Sequence, residues 1–217
     1  MTSTVRITGR RGSHFTRVTT MFAVELGVPF SLESVRDLRS LDPAAYGGHP
    51  GLKIPTLHVG EVALFGTENI CRKLTELAGR ANDPRVVLAE HVSVDLARSA
   101  QELVWFAMSA QVQLVVGVVF GGLARDALPF AKASAGMRGA LGWLDANLHH
   151  VLSLLPARRD VSVFEVSLFC LFEHLKFRPT IEAELYPALT AFAATFSARD
   201  SARATTFSLE AAPTTRA

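Results

Sequence analysis

Cysteine is almost missing from this 217-residue chain: Cys71 and Cys170 stand far apart, each inside an apolar helical pattern. Their spacing forms no metal-ligand motif, and isolated buried thiols serve as small apolar fillers. A surplus of either charge is missing too, since 22 basic residues face 20 acidic ones for a formal net charge of +2. With no basic block and no aromatics interleaved in one, the electrostatic footprint of a nucleic-acid binder is absent, so nucleic acid is not an expected partner. Met1-Thr2-Ser3-Thr4 lacks the long apolar core of a secretory signal, which points to a reducing, cytoplasmic location. Formal charge is absent from Leu103 to Ala124, which raises a membrane span. Ser109, Gln111 and Gln113 within that run, Gly117, Gly121 and Gly122 near its end, and no flanking cluster of lysine or arginine favour a buried core helix instead. No membrane is expected as a partner, and an apolar surface for dimer formation or substrate is the second choice.

What the chain does have is apolar mass: 49% of its residues are hydrophobic and the mean hydropathy is +0.25. Its length allows one ordinary domain or two small ones with a substantial core. Val5 to Thr8 is expected as a strand, and Val18, Met21, Phe22 and Leu26 give one helical face over Thr16 to Leu26, closed by Gly27. A second strand follows at Phe30 to Val35, then an irregular stretch through Gly47-Gly48-His49-Pro50-Gly51. Thr56 to Val59 and Val62 to Phe65 form a hairpin around Gly60-Glu61, and Thr67 to Ala78 a closing helix. Beyond Asn82-Asp83-Pro84 the texture becomes all-helical, with helices over Leu88 to Ala110, Pro129 to Leu155, Ser162 to Lys176 and Ile181 to Ala198. The expected domains are therefore 1–78, a linker at 79–85, a helical domain at 86–199, and a poorly ordered tail at 200–217 rich in Thr, Ala and Ser.

Gly51-Leu52-Lys53-Ile54-Pro55-Thr56-Leu57, followed by Leu64-Phe65-Gly66-Thr67-Glu68-Asn69-Ile70, carries the most specific information. A proline between strand residues cannot donate to a ladder, so it belongs at a strand edge or in a cis turn that leaves neighbouring backbone open to a peptide-like ligand. Thr67 is able to cap a helix beginning near Glu68, and free amides at a helix start attract carboxylates. This arrangement resembles the thioredoxin-like domain of the cytosolic glutathione transferase family, and the likeness extends over about residues 4 to 198. The resemblance implies an α/β thioredoxin-like N-terminal domain followed by an all-α helical-bundle domain, with glutathione as co-substrate, no metal, and a homodimer.

Carried onto this sequence, the resemblance places catalysis in the loop Gly9-Arg10-Arg11-Gly12-Ser13-His14-Phe15-Thr16-Arg17, which delivers polar side chains to the start of the first helix. A hydroxyl there can donate to a glutathione thiolate and keep it ionised near neutral pH. Ser13 occupies the family's serine or cysteine position and Phe15 the aromatic place two residues on, while Thr16 is a second hydroxyl that could serve. Both hydroxyls could equally be plain caps. His14 stands where many relatives carry proline and is expected as an exposed loop residue. Ile54 would pair its main chain with the cysteinyl part of glutathione ahead of a cis Pro55, and Lys53 could reach the glycyl carboxylate. The family's acidic and serine pair that holds the γ-glutamyl group falls here on Gly66 and Thr67, so the hydroxyl is kept and the carboxylate is lost, with Glu68 one residue out of place. Ser162 and Glu165 have the spacing of a capping box. Two readings follow. One is an enzyme that conjugates glutathione to a hydrophobic electrophile; the absence of cysteine near Ser13 disfavours thiol–disulfide exchange. The other is a non-catalytic binding or dimerisation module with weakened glutathione binding.

Overall fold

The computed structural model describes residues 5–210. They fall into two compact units, residues 5–86 together with 200–210, and residues 87–199. The first unit runs β1 (Val5–Gly9), α1 (His14–Glu25), β2 (Phe30–Ser34), β3 (Thr56–Val59), β4 (Val62–Phe65) and α2 (Thr67–Leu77). The sheet order is β2-β1-β3-β4, with β1 parallel to β2 and antiparallel to β3, and β3 antiparallel to β4. A parallel pair needs a crossover, which α1 supplies, whereas Gly60-Glu61 suffices for the antiparallel hairpin. Side chains alternate along each strand. Val5, Ile7 and Leu57 are accordingly buried, as are Val18, Met21 and Phe22 of α1 and Ile70, Cys71 and Leu74 of α2.

A different set of residues, Arg6, Thr8, Thr56 and His58, alternates with these on β1 and β3. The irregular stretch seals part of it: a one-turn 3-10 helix, Pro43–Tyr46, is capped by Asp42 accepting the Ala44 N–H at 2.9 Å. Tyr46 is buried, its carbonyl accepts from the Thr56 hydroxyl at 2.9 Å, and its own hydroxyl lies 2.8 Å from the Leu38 carbonyl. Burial first, and then the Arg6 charge, holds the His58 imidazole below its ordinary pKa, against opposing contributions from Glu33 and the Gly47 backbone. The folded chain thus binds a proton at His58 less readily than the unfolded one. Stability from this group is complete above the ordinary value of 6.5 and declines as pH falls toward the folded value. His58→Gln should flatten that decline without abolishing it, because His49 is shifted in the same direction. Urea unfolding at a series of mildly acidic pH values measures the slope.

Residues 200–210 are not the loose tail that their composition suggests, while the rest of the expected tail, 211–217, lies outside the described residues. Asp200–Ala204 forms a short helix belonging to the first unit. Arg17 of α1 is 5% exposed and donates from Nη2 to the Ala202 carbonyl at 3.0 Å, while its guanidinium lies 4.4 Å from the centre of the Phe207 ring. A buried cation needs acceptors, and the returning chain provides them. The boundary between units falls after Val86, so residues 79–85 belong to the first unit instead of forming a separate linker. Asp83 accepts from both Arg80 and Arg85 there, and these bonds hold its carboxyl far below the usual carboxylate range.

The second unit contains α3 (Asp95–Leu114), α4 (Leu128–Leu154), α5 (Val163–Phe177) and α6 (Pro187–Phe196). α3 begins later than expected because a 3-10 turn, Ala89–His91, precedes it, with Leu88 N–H donating to His91 Nδ1 at 3.2 Å. It continues into a π-helical turn, Val115–Phe120. The whole of Asp95–Phe120 is long and apolar enough to cross a membrane by length and composition. Its Ala97, Ala100, Val104, Ala107, Met108, Gln111 and Leu114 are buried. Two glycines set close approaches: a Cβ on Gly136 would lie 2.7 Å from the Phe106 ring, and one on Gly117 would lie 2.3 Å from the Phe130 ring.

The capping box at the start of α5 does not form. Ser162 has the extended N-cap conformation, yet its buried hydroxyl finds no partner among the described residues. Glu165 turns instead to Arg159, with Nε to Oε2 at 2.6 Å and Nη2 to Oε1 at 2.8 Å. A bidentate charged pair outcompetes one backbone amide for the carboxylate. Ser162→Ala should therefore leave stability unchanged or raise it by about 1 kcal/mol, while Arg159→Ala should lower it by about 1.5–3 kcal/mol. Denaturant midpoints of the two variants provide the comparison.

Candidate functional site

Strand pairing gathers four turns at one edge of the first unit. Gly9 ends β1 beside Ser34 at the end of β2, Thr8 of β1 pairs with Thr56 at the start of β3, and Thr56 pairs with Phe65 at the end of β4. The loop to Ser13, the turn at Ile54-Pro55 and the start of α2 at Thr67 consequently leave the sheet at the same edge.

At this edge Ser13 is the N-cap of α1, with φ −104° and ψ 124°, and its Oγ accepts the Thr16 N–H at 3.3 Å. The side chain is half-buried. Acceptance from an amide leaves the hydroxyl proton available to donate outward, so capping and a chemical role are compatible in this residue. Thr16 is placed differently: it is 1% exposed and its Oγ1 accepts the Arg10 N–H at 3.3 Å, tying the loop to the helix from inside. Gly9 makes room for this, since a Cβ there would lie 2.5 Å from the Thr16 side chain. His14 is also buried, at 1% exposure, against Phe15 with ring centres 4.8 Å apart, so it is no exposed loop residue. Phe15 is half-buried.

On the neighbouring turn the Ile54–Pro55 peptide bond is cis. Pro55 is buried and Ile54 half-buried, and the Ile54 main chain makes no hydrogen bond among the described residues. Lys53 is exposed, and its charge, after burial, helps keep the His49 imidazole below its ordinary pKa. His49 itself accepts the Gly51 N–H at 3.0 Å through Nδ1 and lies 4.5 Å from the Phe65 ring, beside the start of α2. By composition His49 belongs only to an irregular stretch; its place five residues before Ile54 is the sequence signal that sets it beside the turn.

α2 starts at Thr67, so its N-cap is Gly66 and no side chain caps it. Thr67, expected to be that cap, is instead the first helical residue, half-buried, with Glu68 next in the first turn. Gly66 has φ 87°, a region that disfavours any residue with a Cβ, and a Cβ there would lie 3.3 Å from Asn69 Nδ2. An uncapped helix start with a glycine before it suits an anion that approaches the backbone closely. Met108 and Gln111 of α3 are fully buried in the helical unit, where the Gln111 amide donates to the Arg178 carbonyl at 2.8 Å.

Residues 12–77 match the model of the glutathione S-transferase N-terminal domain family. Among solved structures, the chain is similar to a glutathione S-transferase from Methylobacterium radiotolerans in complex with glutathione sulfonate: 16% identity, TM-score 0.72, covering 96% of this chain and 98% of that one. It is also similar to a glutathione transferase family member from Pseudomonas fluorescens Pf-5 with bound S-(propanoic acid)-glutathione, at 20% identity and TM-score 0.70 over 93% and 98% of the two chains. A third is a glutathione transferase homologue from Sulfitobacter with bound glutathione, at 15% identity and TM-score 0.67 over 94% and 97%. Among curated proteins no sequence matches the chain significantly. Identities this low establish the fold, a thioredoxin-like α/β unit followed by a helical one.

Proposed function

We propose, for a chain whose residues 12–77 match the model of the glutathione S-transferase N-terminal domain family, that it binds glutathione at the edge of its first unit and conjugates the thiolate to a hydrophobic electrophile. The observation that carries this reading is the convergence of a helix-capping hydroxyl at Ser13, an Ile54 main chain without a hydrogen bond among the described residues and an uncapped α2 start at one sheet edge. Each matches a different part of the tripeptide. The Ser13 hydroxyl donates to the cysteinyl sulfur and favours its ionised form, with the thiol proton released to solvent; the sulfur–carbon bond then forms as the electrophile's leaving group departs to solvent with the electron pair of the broken bond. Ile54 N–H and C=O pair with the cysteinyl backbone. Lys53 faces the glycyl carboxylate, and Thr67 with the first amides of α2 holds the γ-glutamyl carboxylate. Thr16, buried behind the loop, holds its shape.

Gly66 supports a second reading, a binding or dimerisation module in which loss of the carboxylate has weakened glutathione binding. Exposed apolar residues on one stretch of the helical unit, Val112 at 40%, Val116 at 51% and Val119 at 50%, support pairing into a homodimer under either reading. Cys71 and Cys170, buried and outside any disulfide, suit a cytoplasmic setting. Retention on immobilised glutathione with elution by free glutathione, together with turnover of an aromatic electrophile, supports the enzyme. Failure of both favours the module.

A further inference from the structure

The loop that presents Ser13 is held from two sides. On the inside, Arg10 N–H donates to Thr16 Oγ1 at 3.3 Å and Ser13 N–H to the Arg10 carbonyl at 3.1 Å. On the outside, Glu210 accepts the Arg11 N–H through Oε1 at 2.7 Å and the Ser34 hydroxyl through Oε2 at 2.7 Å. One carboxylate thus ties the middle of the loop to the end of β2. Short bonds to an ionised acceptor are about twice as strong as neutral ones. The segment carrying Glu210 is itself anchored, since Arg17 is fastened to Ala202 and stacked on Phe207.

We infer that Glu210 is a positioning residue for Ser13: the returning C-terminal segment clamps the loop between Gly9 and Ser13 so that the serine hydroxyl is aimed at the bound thiol. The inference rests on the proposed glutathione chemistry, although the clamp itself does not. Its contribution is geometric. Glutamine at the same place offers a carbonyl to Arg11 N–H and an amide to Ser34 Oγ, so it preserves both links without the charge. Alanine preserves neither. The tripeptide is gripped mainly by Ile54 and Thr67, so loosening the loop should act on the step that needs Ser13 and little on binding.

Glu210→Ala is therefore expected to lower kcat by about ten- to hundredfold, the scale of misaligned reacting groups, with KM for glutathione changed far less. Glu210→Gln should restore kcat. In the ligand-free protein, amide hydrogen exchange at Arg11 should speed up in Glu210→Ala and return toward the native rate in Glu210→Gln, while the melting temperature shows whether the alanine variant remains folded. Unchanged kcat in Glu210→Ala, a glutamine variant as impaired as the alanine one, or unaltered Arg11 exchange would each overturn the inference. A native chain with no turnover sinks the enzyme reading instead, and the exchange measurement still decides the clamp.

Discussion

Ser13→Gly is expected to lower conjugation kcat by about 10²–10³ at neutral pH, the usual cost of removing one hydrogen-bond donor from a developing or stabilised anion. Glycine is the informative replacement because an N-cap changed to Gly costs only a few tenths of a kcal/mol, against about 1 kcal/mol for Ala. Rate loss in a chain that still folds then reports chemistry and not capping. The sign of the pH effect follows from the donor. A hydroxyl aimed at sulfur lowers the thiol pKa in the complex, so the native rate should already be level where a free thiol, with its pKa of about 8.5, is mostly protonated. The variant should need alkaline pH to approach the native rate. A steady-state pH profile of both proteins checks this. Thr16→Val is the control: its hydroxyl is buried and accepts from Arg10, so the substitution should act through stability and loop order.

Gly66→Glu should tighten glutathione binding. Under the proposed binding mode a carboxylate at this position would meet the γ-glutamyl ammonium, and a charge-assisted hydrogen bond is worth about 1.5–3 kcal/mol, or roughly ten- to hundredfold in affinity. The same substitution places a Cβ on a backbone with φ 87° and ψ 126° and costs about 1–3 kcal/mol of folding stability. Isothermal titration with glutathione and a thermal melt should therefore move in opposite directions. Gly66→Ala separates the two effects, since it imposes the backbone cost with no carboxylate. If glutamate binds glutathione no better than alanine does, the γ-glutamyl group does not lie beside residue 66.

Much of this site was legible from particular residues. The Ile54-Pro55 pair, the Gly60-Glu61 hairpin and the helix opening after Gly66 lie close together in sequence, and turn chemistry specifies such local features. The buried face of β1 was likewise recoverable from the alternation of Val5 and Ile7, whereas the order β2-β1-β3-β4 was not, because alternation does not name a strand's neighbour. What escaped were long-range choices among partners. Glu165 had a local amide and a nearby Arg159 on offer, and spacing alone does not reveal that the guanidinium wins. The run from Asp200 to Glu210 looks loose by composition, yet its Ala202 carbonyl, 185 residues away, and its Phe207 complete a buried Arg17. Arg17 was the available signal: a cation within the apolar pattern of Val18, Met21 and Phe22 must find acceptors. Helix starts slipped for a related reason. The apolar pattern of Ile181 to Ala198 includes Pro187, and the helix begins there, where a missing N–H costs nothing.

Whether one sheet edge grips glutathione through backbone and hydroxyl groups can be read from backbone amide resonances followed while glutathione is added. The largest shifts should fall together on Ser13, Ile54 and Thr67, saturating with a common affinity. Shifts that leave Ile54 and Thr67 untouched, or that cluster in residues 87–199, would contradict such a grip.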